Sequence, residues 1–235
     1  MKRRHYDLFA DVFAYPTAEL PLGVMELRAM LAASCPEAAA PLAVFAEQLG
    51  TTTSLNDEEL DDLQEVFTRS FEIQSITTLH VGYVAFGDDY KRGELLVNLN
   101  RELRDVEVEL GNELSDHLSN VLRLLARWED DAAVTELVSM VVYPCLEKML
   151  CEFATERMVA RDALYKKHYK TLIEASERVA MYQHALRALL ESVRHDFEII
   201  ESPLPEKSRD FLSAIKMELE IEARGEGYRP IGRTP

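Results

Sequence analysis

The sequence predicts an all-α fold, and the spacing of glycine and proline is the main reason. No glycine occurs between Gly111 and Gly225, and Pro144 is the only proline between Pro41 and Pro203. Such a stretch has few places to turn except short helix-helix connections. Nowhere do β-branched residues alternate with period two along a strand's length, whereas apolar residues recur at steps of three and four. With 235 residues, 47% of them apolar and 29% charged, the composition is that of an ordinary globular domain. The expectation is a single compact domain of about eight to ten helices over 1–202. Residues 203–235 are expected to form a last amphipathic helix, about 207–223, and a disordered tail.

The first helix is predicted over 3–14, followed by two more over 19–33 and 37–49. Asn56 with Glu59 has the spacing of a capping box, starting a helix that runs to Ile73. Its apolar face is Leu60, Leu63, Phe67 and Phe71. A loop over 74–88 leads to a helix from Tyr90, bearing Leu95, Leu99, Leu103, Val106 and Leu110 and stopped by Gly111. Ser115 is placed to cap the next, with Leu118, Val121, Leu122, Leu125 and Trp128 on one face. A helix over 131–153 contains Pro144, which must kink or split it, because proline donates no amide proton and its ring crowds the preceding turn. Helices over 155–168 and 171–200 complete the domain.

Charge narrows the function classes. The chain carries 42 acidic against 26 basic residues, a net charge of −16, and phosphate backbones need a basic surface, so nucleic acid is not an expected partner. The acids cluster: residues 56–74 hold seven acids and one base, whereas 137–170 are net positive by two. Solubility accounts for such a surface; an acidic rim that attracts a basic peptide accounts for it as well. No run of about 18 apolar residues exists, so no membrane insertion is expected. The basic start, MKRRHYDLFADVFAY, has Asp7 and Asp11 interrupting its apolar part and reads as an amphipathic helix of a cytoplasmic protein. Cys35, Cys145 and Cys151 include no C-x-x-C pair and are expected to be buried small hydrophobes.

No catalytic or metal constellation emerges. The phosphate-loop, H-E-x-x-H and G-x-S-x-G patterns are missing from the sequence. Glu113/His117 and Glu191/His195 are four apart and read as surface ion pairs. No cofactor, metal or catalytic residue is therefore assigned, and the chain is not expected to be an enzyme.

Two stretches carry more than packing demands. In LHVGYVAFGDDYKRGELLVNLN, residues 79–100, Leu79, His80, Tyr83 and Phe86 crowd a loop that ends in Gly87, Asp88 and Asp89, where an acid suits a helix N-terminus. The loop either folds its aromatics into the core or leaves part of them open as a binding wall. In NELSDHLSNVLRLL, residues 112–125, Asp116 and His117 stand at a helix start, where a protonated histidine is disfavoured.

Together these stretches resemble the redox-enzyme maturation chaperones of the TorD/NarJ family. The residues that carry the likeness are the LH…FG-D-D-YKRGELLVNL block at 79–99 and EL-S-DHL at 113–118, preceded by an acidic helix ending in Phe67 and Phe71. Ser115 stands where the family commonly has proline. The resemblance implies a TorD-like helical bundle and a non-catalytic, cytoplasmic chaperone. Its partner would be the apo catalytic subunit of a molybdopterin oxidoreductase, held by its N-terminal, often twin-arginine, peptide until the cofactor is inserted. Some family members are dimers, so a homodimer is a further expectation.

On that reading an apolar groove with an acidic rim receives the peptide. Phe67, Phe71, Leu79, His80, Tyr83 and Phe86 are the candidate groove. Asp88 and Asp116, with the acids of 57–65, form the rim, and His117 orients Asp116 or meets the peptide backbone. Alanine at Asp116 is then expected to weaken client binding and leave thermal stability nearly intact. Two other classes remain open: an adaptor for an amphipathic helix of another protein, and an all-α metal- or cofactor-binding enzyme.

Overall fold

In the computed structural model, described here for residues 3–169 and 178–199, the chain is all-α, and no strand occurs among the described residues. The helices are α1 (Arg4–Val12), α2 (Leu20–Ser34), α3 (Pro36–Leu49), α4 (Asp57–Phe71), α5 (Val81–Phe86), α6 (Tyr90–Asp105), α7 (Leu118–Arg127), α8 (Asp131–Leu137), α9 (Tyr143–Glu152), α10 (Thr155–His168) and α11 (Tyr182–Asp196). A π-helical segment, Val138–Val142, joins α8 to α9 without a break. The core forms where α1 packs on α2 and α7, and where α11 packs on α3 and α9. The long helix expected over 171–200 appears among the described residues only as α11, after a turn at 178–181. The helix and tail expected over 203–235 lie outside the described residues.

The best-marked element is α4. Glu59 N–H donates to Asn56 Oδ1 at 3.0 Å and Asn56 N–H to Glu59 Oε2 at 2.9 Å, so the capping box closes in both directions. Leu63, Phe67 and Phe71 are buried. The Tyr182 ring lies 5.6 Å from that of Phe67, 5.1 Å from Phe71 and 5.3 Å from Phe45, an aromatic cluster in tilted and edge-to-face geometry. Each such ring contributes roughly 2–3 kcal/mol through burial. The two phenylalanines are core residues, which corrects their placement on an open groove.

Four local expectations are corrected. The 74–88 segment contains the short helix α5, whose capping residue, His80, makes no side-chain bond to the helix end. Helix α6 ends at Asp105, well before Gly111. Its end is a Schellman turn with Glu107 in the left-handed region (φ 56°): Val108 N–H bonds Leu103 O at 2.9 Å and Glu107 N–H bonds Arg104 O at 3.1 Å. Helix α7 starts at Leu118 with His117 as its cap; Ser115 instead donates its hydroxyl to Leu96 O at 3.1 Å. Cys35 and Cys145 are buried as expected, but Cys151 is exposed.

Pro144 disturbs its helix without breaking it. Its missing amide leaves the carbonyl four residues earlier without the usual partner. The preceding turn widens, and Tyr143 N–H reaches Val138 O, five residues back.

Candidate functional site

Asp116 is the centre of a buried polar node. Residues 79–81 and 116–118 run antiparallel past each other: Val81 N–H bonds Asp116 O at 2.9 Å and Leu118 N–H bonds Leu79 O at 2.8 Å, pairing His80 with His117. This pairing satisfies backbone groups that neither α5 nor α7 can satisfy, and it turns the Asp116 side chain inward. The carboxylate is fully buried. Oδ1 faces His80 Nδ1 at 2.9 Å, and Oδ2 accepts from Arg92 Nε at 2.9 Å. Burial alone would raise its pKa, but the bonds from His80 and Arg92, with their charges, hold it below the usual carboxylate value.

Gly82 makes room for this carboxylate. A Cβ there would stand 2.6 Å from Asp116 Oδ2 and 3.2 Å from Arg92 Cγ. Arg92 also lies over the Tyr83 ring, 5.4 Å from its centroid. From the opposite side, α9 holds α5 by two contacts with its carbonyls. Cys145 Sγ approaches Val81 O at 3.3 Å, and Lys148 Nζ donates to Val84 O at 3.3 Å. Burial pushes the Cys145 thiol up to about 12, so it stays protonated and can donate.

His117 is held neutral. Its Nδ1 accepts from Ser119 N–H at 3.4 Å, and Ser119 Oγ lies 2.7 Å away. Burial, and then the charge of nearby His80, bring its pKa down to about 3. The ring therefore caps α7 as an acceptor, without the charge that would oppose the helix dipole. The predicted surface pair with Glu113 is corrected, since this histidine is buried. His195 pairs with Asp196 at 3.1 Å, and Glu191 lies 4.0 Å from Arg187 and from Arg194.

The structure brings Leu79, His80, Tyr83, Asp116 and His117 together. Leu79, Asp116 and His117 are buried; His80, Tyr83 and Phe86 are partly exposed, and Asp88 is exposed. Phe67 and Phe71 lie apart, their ring contacts being with Tyr15, Tyr182, Phe153 and each other. The rim role of Asp116 is corrected: its carboxylate is covered by the side chains it binds. Asp89, not Asp88, caps α6, accepting from Lys91 N–H at 3.0 Å.

Sequence reasoning left Arg92, Gly82 and Cys145 out of the site. Arg92 was visible in the Lys91-Arg92-Gly93 run; for the other two no local pattern distinguished the role. The open side of the node carries His80 and Arg92, while the exposed acids Asp57, Glu58, Asp61, Asp62 and Glu65 line α4. Among the described residues no group of three or more His, Cys, Asp or Glu is placed to hold a metal ion. Among them, too, no helix is long and apolar enough to cross a membrane. No family model matches the chain, and neither a curated protein nor a solved structure does.

Proposed function

We propose that this protein is a maturation chaperone of the TorD/NarJ type, binding the N-terminal peptide of a molybdopterin oxidoreductase catalytic subunit in the cytoplasm. One observation carries the reading: His80, Arg92 and Asp116, from the two sequence blocks that resemble the family, converge on a single buried carboxylate. Such a node fixes α5, α6 and the start of α7 relative to one another. It leaves Tyr83 and Phe86 partly exposed on a short helix that a client peptide can reach.

In this reading Asp116 organises the site and does not touch the client. Arginines of the client are met by the exposed acids of α4 and by Asp88. Apolar peptide residues meet Tyr83 and Phe86. Burying about 400 Å² of apolar surface is worth roughly 10 kcal/mol before ordering costs. Those costs leave micromolar to nanomolar affinity, on the order of what a protein that must release its client needs.

The test is a pull-down of the tagged chain from its own host's cytoplasm, grown without oxygen and read by mass spectrometry. The expected result is a molybdopterin-enzyme catalytic subunit as the dominant partner. Its N-terminal peptide should then bind the chain, and binding should weaken when the peptide's arginines become glutamates. If no molybdoenzyme is captured while one is expressed, the reading fails. Capture of an amphipathic helix indifferent to arginine replacement would favour the adaptor class.

A further inference from the structure

Helix α2 is apolar on two opposite sides. Leu20, Val24, Leu27 and Leu31 are buried in the core, whereas Leu22, Met25, Ala29 and Ala33 are exposed, Leu22 at 55% and Met25 at 50%. At about 100° per residue the second set lies on the face turned away from the first. A helix apolar all round is a buried helix, so the outer face of α2 lacks a partner among the described residues. Residues 20–46, covering α2 and most of α3, hold only three charged residues, Glu26, Arg28 and Glu37, in a chain that is 29% charged. A surface meant for water alone would carry more.

The chain leaves the described residues beside this helix. α11 runs antiparallel to α3: Tyr182, its first residue, meets Phe45 at 5.3 Å, while near its other end Glu191 O lies 3.9 Å from Cys35 Sγ. Cys35 is the residue at which α2 ends and α3 begins. α11 then stops in a turn, with Glu198 left-handed (φ 49°) and Ile199 N–H bonded to Arg194 O at 3.2 Å. Ile199 therefore lies within roughly 12 Å of the α2–α3 junction. Residues 200–206 span at most about 25 Å. Beyond them, residues 207–223 carry Phe211, Leu212, Ile215 and Leu219 at helical spacing. A helix over 207–223 would measure roughly 25 Å, against roughly 22 Å for α2.

We propose that the outer face of α2 is the docking surface for the chain's own segment 207–223, running antiparallel to α2 and covering Leu22 and Met25. The short connection favours this occupant, since a tethered segment acts at an effective concentration on the order of millimolar. A second copy would bring another net charge of −16 against the first. A basic peptide finds little to attract it here, because Glu26 is held by Arg4 and its neighbour Arg28 is itself positive. The surface is independent of the chaperone reading. It uses none of the residues around Asp116, and it stands or falls without any client peptide.

The experiment is hydrogen-peroxide footprinting of the full chain, read by mass spectrometry at Met25 and Met140. Met140, 72% exposed on the π-helical segment, is the internal reference. A bare α2 face would leave the two thioethers similarly open, with oxidation rates within about twofold of each other. The expected result is that Met25 is oxidised about tenfold more slowly than Met140. Phe211→Asp combined with Ile215→Asp should bring the two rates within about twofold, and Leu219→Asp alone should move the ratio the same way.

Equal oxidation of Met25 and Met140 in the unaltered chain would overturn the proposal. So would slow oxidation of Met25 that survives all these substitutions, since the cover would then be something other than 207–223. Protection that fades on dilution, together with a dimer lost on sedimentation, would assign a second copy and overturn it as well. Should the double variant fail to fold, the Leu219→Asp chain decides.

Discussion

Gly82 and Asp116 are in van der Waals conflict with anything larger than a hydrogen at position 82: an added Cβ would lie 2.6 Å from Oδ2. Because that oxygen is pinned by Arg92, the carboxylate cannot swing aside without losing an ion pair. Gly82→Ala is therefore expected to destabilise the fold by about 1–3 kcal/mol despite alanine's better helix propensity. Gly93, on α6, has nothing within 4 Å of its would-be Cβ. Gly93→Ala should instead stabilise by about 0.5–1 kcal/mol. Urea midpoints of the two variants should move in opposite directions; a stabilised Gly82→Ala would show that Asp116 has room to move.

Asp116→Ala removes the shared acceptor of Arg92 and His80. Both partners are partly solvated, so the cost falls below that of a fully buried pair, at about 2–3 kcal/mol. Asp116→Asn keeps one acceptor oxygen and should lose less. Thermal unfolding of both variants tests this, and an Asp116→Ala protein as stable as the parent would return the residue to a surface role. The sequence alone had suggested that outcome.

Stability should fall on acidification in two stages. His117 titrates near 3 in the fold, against about 6.5 when unfolded, so below pH 6.5 the unfolded chain takes up a proton that the native chain refuses. Stability is therefore lost as pH falls from 6.5 towards 3. The Asp116 carboxyl, held below its unfolded value, contributes fully above about pH 4 and is lost as pH falls through its lower folded pKa. His117→Gln should flatten the melting-temperature profile from pH 6.5 down towards 3, leaving at the acidic end only the loss that belongs to Asp116 and the other carboxylates.

Asn56→Ala opens both arms of the α4 capping box and should cost about 1 kcal/mol. Because α4 carries Phe67 and Phe71 into the aromatic cluster, the loss is expected in global unfolding and not merely in fraying. Hydrogen exchange that rises only in the first turn, with an unchanged unfolding midpoint, would contradict this.

The sequence was informative where structure is local. Asn56 and Glu59 mark their helix by direct reciprocal bonding, and Pro144 disturbs the turn before it through its own missing amide. The α6 end was missed because Glu107 takes a left-handed conformation that glycine usually occupies, leaving Gly111 as a false stop. The six-residue α5 was missed because it contains a glycine and its capping residue, His80, makes no side-chain capping bond. At the site, the residue types were visible but their burial was not. Whether Asp116 faces water or Arg92 depends on a pairing between residues 80 and 117, and no spacing along one helix encodes it.

The three cysteines also make the molecule convenient to label. Cys145 is sealed against α5 and kept protonated, and burial likewise raises the pKa of Cys35, so neither thiol is a ready nucleophile at neutral pH. Cys151 is exposed and adjoins Glu152, which binds Arg157. A maleimide dye should therefore mark one position without any mutation. Its emission would report on the end of α9, next to the ion pair of Glu152 with Arg157.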